Sequence, residues 1–199
     1  LVKTGGTLAG TITDLDTAAP IGAARVSASD GSRTFSATTA PDGTYSLFLA
    51  AGDYVVSAVA FGYQGDVAPL VTIVADTTTT QDFALDALPR FTVSGTVRGS
   101  EDGGPIPGAA VAAVGTPVAP AVTAADGTYA LSLPIGTYTL EASSGGCTEA
   151  AMVEISSSGA DVVQDFALYR KLDDFGHGCR RIDFEWVEPS GQTALYGDE

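Results

Sequence analysis

Asparagine is absent from this 199-residue chain, and histidine, tryptophan and methionine occur once each. Without Asn there is no N-glycosylation sequon. Lys3 and Lys171 are the only lysines, and all basic residues together number 9 against 24 acidic ones, a formal charge of -15. That balance repels phosphate backbones and anionic lipid surfaces, so nucleic-acid and membrane-surface roles are excluded as leading readings. No apolar run approaches the roughly eighteen residues of a membrane-spanning helix, so no membrane insertion is expected. The amino end lacks the basic-then-apolar order of a secretion leader. The chain opens at Leu1 rather than Met, so a processed product or a piece of a longer precursor is expected.

The two cysteines, Cys147 and Cys179, lack the C-x-x-C spacing of zinc or redox sites. They form either one disulfide, as extracellular chains allow, or two buried thiols. The single imidazole, His177, bounds the catalysis available: it lies two residues from Cys179 in "FGHGC", but nothing nearby supplies an oxyanion hole for a nucleophilic pair. G-x-S-x-G, P-loop, H-E-x-x-H and G-x-G-x-x-G patterns do not occur. Asp14/Asp16 and Asp173/Asp174 sit in turn-like segments with no pocket implied, and are expected as solvated loop charges. No enzyme, no cofactor and no metal site is expected.

What the sequence does have is hydrophobic residues, 45% of the total, arranged in a repeat. "PDGTYSLFLAAGDY" at Pro41–Tyr54 returns as "ADGTYALSLPIGTY" at Ala125–Tyr138, and "QDFAL" at Gln81–Leu85 returns at Gln164–Leu168. "TLAGTITDLDTAAPIGAARV" from Thr7 matches "TVSGTVRGSEDGGPIPGAAV" from Thr92. The offset stays between 83 and 85 residues, which marks a tandem duplication. Within each copy apolar residues alternate: Leu8 and Ile12, Tyr45, Leu47 and Leu49, Tyr54, Val56 and Ala58, Phe83 and Leu85, with their counterparts in the second copy. A period of two with one apolar face gives sheets that bury one side, and two such sheets close over each other. Asp42-Gly43 and Asp126-Gly127 fall between strand patterns, where glycine takes the positive φ of a tight turn. One Asp per loop is far below the six to eight oxygen ligands of calcium.

The pattern carried by Gly10-Thr11-Ile12, Pro20-Ile21, Asp42-Gly43-Thr44-Tyr45-Ser46-Leu47, Gly52-Asp53-Tyr54 and Asp82-Phe83-Ala84-Leu85, and carried again by the second copy, resembles the carboxypeptidase regulatory-like domains. These are transthyretin- or prealbumin-like sandwiches related to collagen-adhesin B-type repeats. The resemblance implies an all-β chain: two tandem Ig-like or transthyretin-like seven-stranded β-sandwiches, at 1–88 and 89–170, and a C-terminal strand extension at 171–199. It implies no catalytic residues, because such domains are accessory, spacer or adhesive modules of secreted proteins. B-type repeats often carry an isopeptide bond between Lys and Asn, and with no Asn none is expected here.

After Leu168 the sequence has no counterpart in the first copy. In "CRRIDFEWVEP", Ile182, Phe184 and Trp186 alternate with Asp183 and Glu185, the pattern of a strand that must bury one face. Three destinations are open: an edge of the second sandwich, with Cys147 and Cys179 joined and Cys147 standing in the place of Tyr63; a further domain; or a neighbouring molecule, which would propagate a fibre. The leading expectation is a non-enzymatic extracellular structural protein, a subunit of a cell-surface filament or stalk. Its partners would be copies of itself in a helical or linear homopolymer, assembled head-to-tail through the tail. The alternatives are a spacer or accessory module of a larger secreted hydrolase, and a carbohydrate-binding adhesion module using exposed Tyr63, Tyr169 and Tyr196, with glycans as ligands. Thr77, Thr78, Thr79 and Thr80 are candidates for O-linked sugar.

Overall fold

The computed structural model describes residues 5–155 and 161–168. It contains only strands and turns over that span. The first copy runs β1 (Gly5–Asp14), β2 (Arg25–Ser29), β3 (Thr34–Thr38), β4 (Thr44–Ala50), β5 (Gly52–Val59), β6 (Asp66–Ile73), β7 (Thr78–Thr80) and β8 (Phe83–Leu85). The second runs β9 (Arg90–Gly99), β10 (Ala110–Ala113), β11 (Ala121–Val122), β12 (Thr128–Pro134), β13 (Gly136–Ser144), β14 (Cys147–Ile155), β15 (Val162–Val163) and β16 (Phe166–Leu168).

Each copy builds two four-stranded sheets. In the first, β1 pairs antiparallel with β4 and parallel with both β7 and β8, while the facing sheet has the order β3-β2-β5-β6. The second copy repeats this, with β9 between β12 and the β15/β16 pair, facing β11-β10-β13-β14. Alternation decides which side chains meet between the sheets: Leu8, Ile12, Val26, Val56 and Leu85 are fully buried in one core, and Val93, Val97, Val111, Leu140 and Leu133 in the other. Burying each such side chain contributes roughly 1.5–3 kcal/mol before the entropy of ordering is subtracted.

The expected seven strands become eight segments because the last strand is broken at Gln81-Asp82 and at Gln164-Asp165. The break has a cause. The Gln81 carbonyl turns inward to accept the Tyr45 hydroxyl at 2.6 Å, and the Asp82 carboxylate accepts the Thr11 amide at 2.7 Å and its hydroxyl at 3.0 Å. Tyr129, Gln164, Thr96 and Asp165 repeat the arrangement. Gly10 and Gly95 are where the broken strand crosses closest, since a Cβ on either would overlap the Gln81 or Gln164 carbonyl.

Candidate functional site

The residues repeated in both copies form the framework of each sandwich. Asp42 accepts the Thr44 hydroxyl at 2.7 Å and amide at 3.0 Å, and Gly43 takes φ +77°, as a tight turn requires. The Thr44 hydroxyl, then its amide, hold the Asp42 carboxyl below its ordinary range, and Thr128 does the same for Asp126. Asp14 is similar: the Thr17 hydroxyl, then the Thr17 amide, lower its pKa, and Asp16 donates its backbone amide to the same carboxylate. Among the described residues no group of three or more His, Cys, Asp or Glu is arranged to hold a metal ion. Thr39 and Thr123, which the sequence pattern did not single out, are buried polar residues: Thr39 donates to the Ile21 carbonyl at 2.7 Å and accepts the Ala24 amide at 2.9 Å.

The arrangement with the most consequence for function lies between the sandwiches. The segment 86–90 is bonded on both sides. On the first sandwich, the turn after β5 receives it: Gln64 donates to the Asp86 carbonyl at 2.8 Å, Leu88 donates to the Gly62 carbonyl at 2.8 Å, and Tyr63 bridges Ala87. On the second, Ile135 donates to the Pro89 carbonyl at 2.9 Å, and the Arg90 guanidinium donates to the Ser132 carbonyl at 2.8 Å. Phe61 of the first sandwich meets Tyr138 of the second edge to face, with ring centroids 6.4 Å apart at 71°. Gly62 takes φ +83°, and a Cβ on it would lie 3.4 Å from Arg90 Nη1 and 3.8 Å from Pro134.

Electrostatics join the same residues. Burial raises the Tyr63 hydroxyl pKa, with a further rise because Asp14 accepts its proton in a hydrogen bond; Arg90 opposes both. Burial likewise raises Tyr138, again opposed by Arg90. Arg90 thus lies near both phenols, and the Phe61 and Tyr138 rings meet edge to face across the gap.

This corrects one expectation. Tyr63 is half-buried against the first core rather than an exposed aromatic offered to a sugar, because the chain leaving the first sandwich packs against it. Tyr169 and Tyr196 lie outside the described residues. So do His177, Cys179, Ile182, Phe184 and Trp186. Cys147 is placed as the first residue of β14, with its side chain buried. Thr77 donates to the Val74 carbonyl at 2.9 Å and Thr79 to the Thr72 carbonyl at 3.2 Å, while Thr78 and Thr80 are exposed on β7.

The family model for the carboxypeptidase regulatory-like domain matches residues 7–86 and again residues 92–169. The chain belongs to the carboxypeptidase regulatory-like domain family. Bacillopeptidase F of Bacillus subtilis (strain 168) is 36% identical over 128 residues, which make up 63% of this chain and 9% of that protein. This regulatory-like pair therefore spans a small part of the curated relative it matches. Among solved structures, the Bacillus anthracis TIE protein aligns with a TM-score of 0.41 at 19% identity, over 84% of this chain and 34% of that one. The minor pilin of Streptococcus agalactiae aligns with a TM-score of 0.42 at 14% identity, over 86% of this chain and all of that one. At that distance neither speaks about function.

Proposed function

We propose that this chain is a non-enzymatic structural module of an extracellular or cell-surface protein, in which two regulatory-like sandwiches joined stiffly hold neighbouring parts at a fixed separation. The joint carries the reading. Three backbone hydrogen bonds that hold the connecting segment to both sandwiches, together with the Phe61–Tyr138 pair, oppose bending where tandem domains ordinarily move. The chemistry agrees, since the turn carboxylates and buried hydroxyls described above have partners that explain them by folding alone. The relative, whose name makes it a peptidase, contains a region like this one in 9% of its length, which suits a spacer attached to chemistry elsewhere.

A second reading has its own observation in its favour. β14 is an edge strand of nine residues without proline, a place where an added strand can pair. If Ile182, Phe184 and Trp186 of one copy fill such an edge on the next, the chain polymerises head-to-tail as a filament or stalk. Light scattering on the native chain divides the two. A spacer gives monomers of 20.1 kDa. A filament subunit gives polymers that Trp186→Asp abolishes, and polymers of that kind would overturn the spacer reading.

A further inference from the structure

The two sandwiches share a backbone plan but differ on the outward side of one sheet, β3-β2-β5-β6 in the first copy. There the outward positions of β5 and β6 hold Val55, Val59, Val67 and Leu70, which are 47–68% exposed. Val67 lies across from Ser57, between Val55 and Val59, and Leu70 stands out opposite Val55 where the register shifts, so the patch is continuous over two strands. The charged residues at outward positions of this sheet are Arg25 and Asp53, whose carboxylate accepts the Thr72 hydroxyl at 2.6 Å. Arg25 is level with Val59, at the far end of β5 from Asp53. Some 20 Å of strand therefore separates the two charges, too far for them to bond within one chain. The second copy provides the comparison. Ala110 stands at the place of Arg25 and Thr137 at that of Asp53, while Thr139, Ser143 and Ala150 replace Val55, Val59 and Val67. The large apolar residues exposed on that sheet, Val122 on β11 and Met152 on β14, sit at opposite edges with Glu141 of β13 between them. Both copies form the same sandwich, so folding does not require the apolar, charge-ended face of the first.

We propose that this face of the first sandwich is a lateral pairing surface for a second copy of the same chain, related by a two-fold axis lying in the interface. Such an axis sets Arg25 of each copy over Asp53 of the other and lays the apolar side chains of one copy against those of its mate. The order of charges selects this occupant, because a face with a cation at one end and an anion at the other complements itself when turned end for end. The formal charge of -15 opposes self-association, but a face with one charge of each sign adds nothing to that repulsion. Salt near 0.15 M confines the rest to roughly 8 Å. Four strands about 4.8 Å apart and about 20 Å long offer on the order of 400 Å² per copy, about half of what a standard interface buries on each partner. The pair is therefore weak. It forms where copies stand crowded side by side and dissociates, at the dilution of light scattering, into the monomers expected of a spacer. The inference goes beyond the spacer reading and does not rest on it, because the face belongs to the first sandwich alone.

The test is sedimentation equilibrium of the full chain from about 10 µM to about 1 mM, the range in which a weak pair forms. The mean mass is expected to rise with concentration from 20.1 kDa toward twice that value. Val55→Glu, at an exposed position, is expected to weaken the pairing roughly tenfold with the unfolding temperature unchanged. Arg25→Asp and Asp53→Arg each set like charges over one another and are expected to weaken it to a similar extent, roughly tenfold. Mixed in equal amounts, those two variant chains regain both opposite-charge pairs and are expected to associate with each other about as well as the parent does with itself, which damage to either fold would not produce. A single-chain mass at about 1 mM, pairing that Val55→Glu leaves unchanged, or a mixture that associates no better than its components would each overturn the proposal.

Discussion

Two threonines set the scale at which single residues matter. Thr39 and Thr123 are buried, and each satisfies one carbonyl and one amide of the loop that leads into the second strand of its copy. Thr39→Val keeps the volume and removes both bonds, leaving two backbone groups without partners away from water. The expected loss is about 1–3 kcal/mol, read from urea unfolding. The paired tyrosines make a pH prediction. Burial, and then the charge of Asp82 or Asp165, push Tyr45 and Tyr129 from 10.0 up to about 12. Their folded pKa exceeds the unfolded one, so the stabilisation is complete below pH 10.0 and is lost as the pH rises through about 12. Melting temperature should fall across that window, and Tyr45→Phe with Tyr129→Phe should flatten the fall.

At the scale of elements, the long strands were legible in the sequence and the broken one was not. Leu8 and Ile12, or Tyr54, Val56 and Ala58, alternate strictly because one side of their strand faces a core and the other faces solvent or a neighbouring loop. The break between β7 and β8 depends on a carbonyl that answers a tyrosine 36 residues away, and no local pattern encodes that partner. Its trace was present all the same in the repetition of Gly10, Tyr45 and Gln81 as Gly95, Tyr129 and Gln164. Gly10→Ala should therefore cost about 1–3 kcal/mol by forcing β1 away from Gln81, although alanine suits most strand positions better than glycine does. Gly95→Ala should act in the same way on the second sandwich. A chain as stable as the parent in either case would show that the close crossing is not required. The edges also differ between copies: β6 carries Pro69 and a register shift between Tyr54 and Val56, which discourage an added strand, while its counterpart β14 has neither.

For the whole molecule the sequence announced two domains and concealed how they are joined. The residues of the joint, Phe61, Gly62, Arg90 and Tyr138, lie in three separate stretches, and those of one copy meet those of the other only once both sandwiches have formed. They also fall where the copies differ: Phe61 and Tyr63 give way to Gly145 and Cys147, so a motif shared by both copies could not reveal them. Replacing Phe61 and Arg90 with alanine should leave each sandwich folded, because neither side chain belongs to the fully buried cores. It should loosen their relative orientation, removing an edge-to-face pair worth about 0.5–1.5 kcal/mol and the guanidinium beside Gly62 and the two phenols.

Residual dipolar couplings, collected for both sandwiches in a single weakly aligned sample, address this rigidity directly. The account predicts one alignment tensor, equal in magnitude and direction for residues 5–85 and 91–168, and two diverging tensors in the Phe61→Ala, Arg90→Ala chain. Tensors of clearly different magnitude in the unmodified chain would show independent motion and contradict the stiff joint on which the spacer function rests.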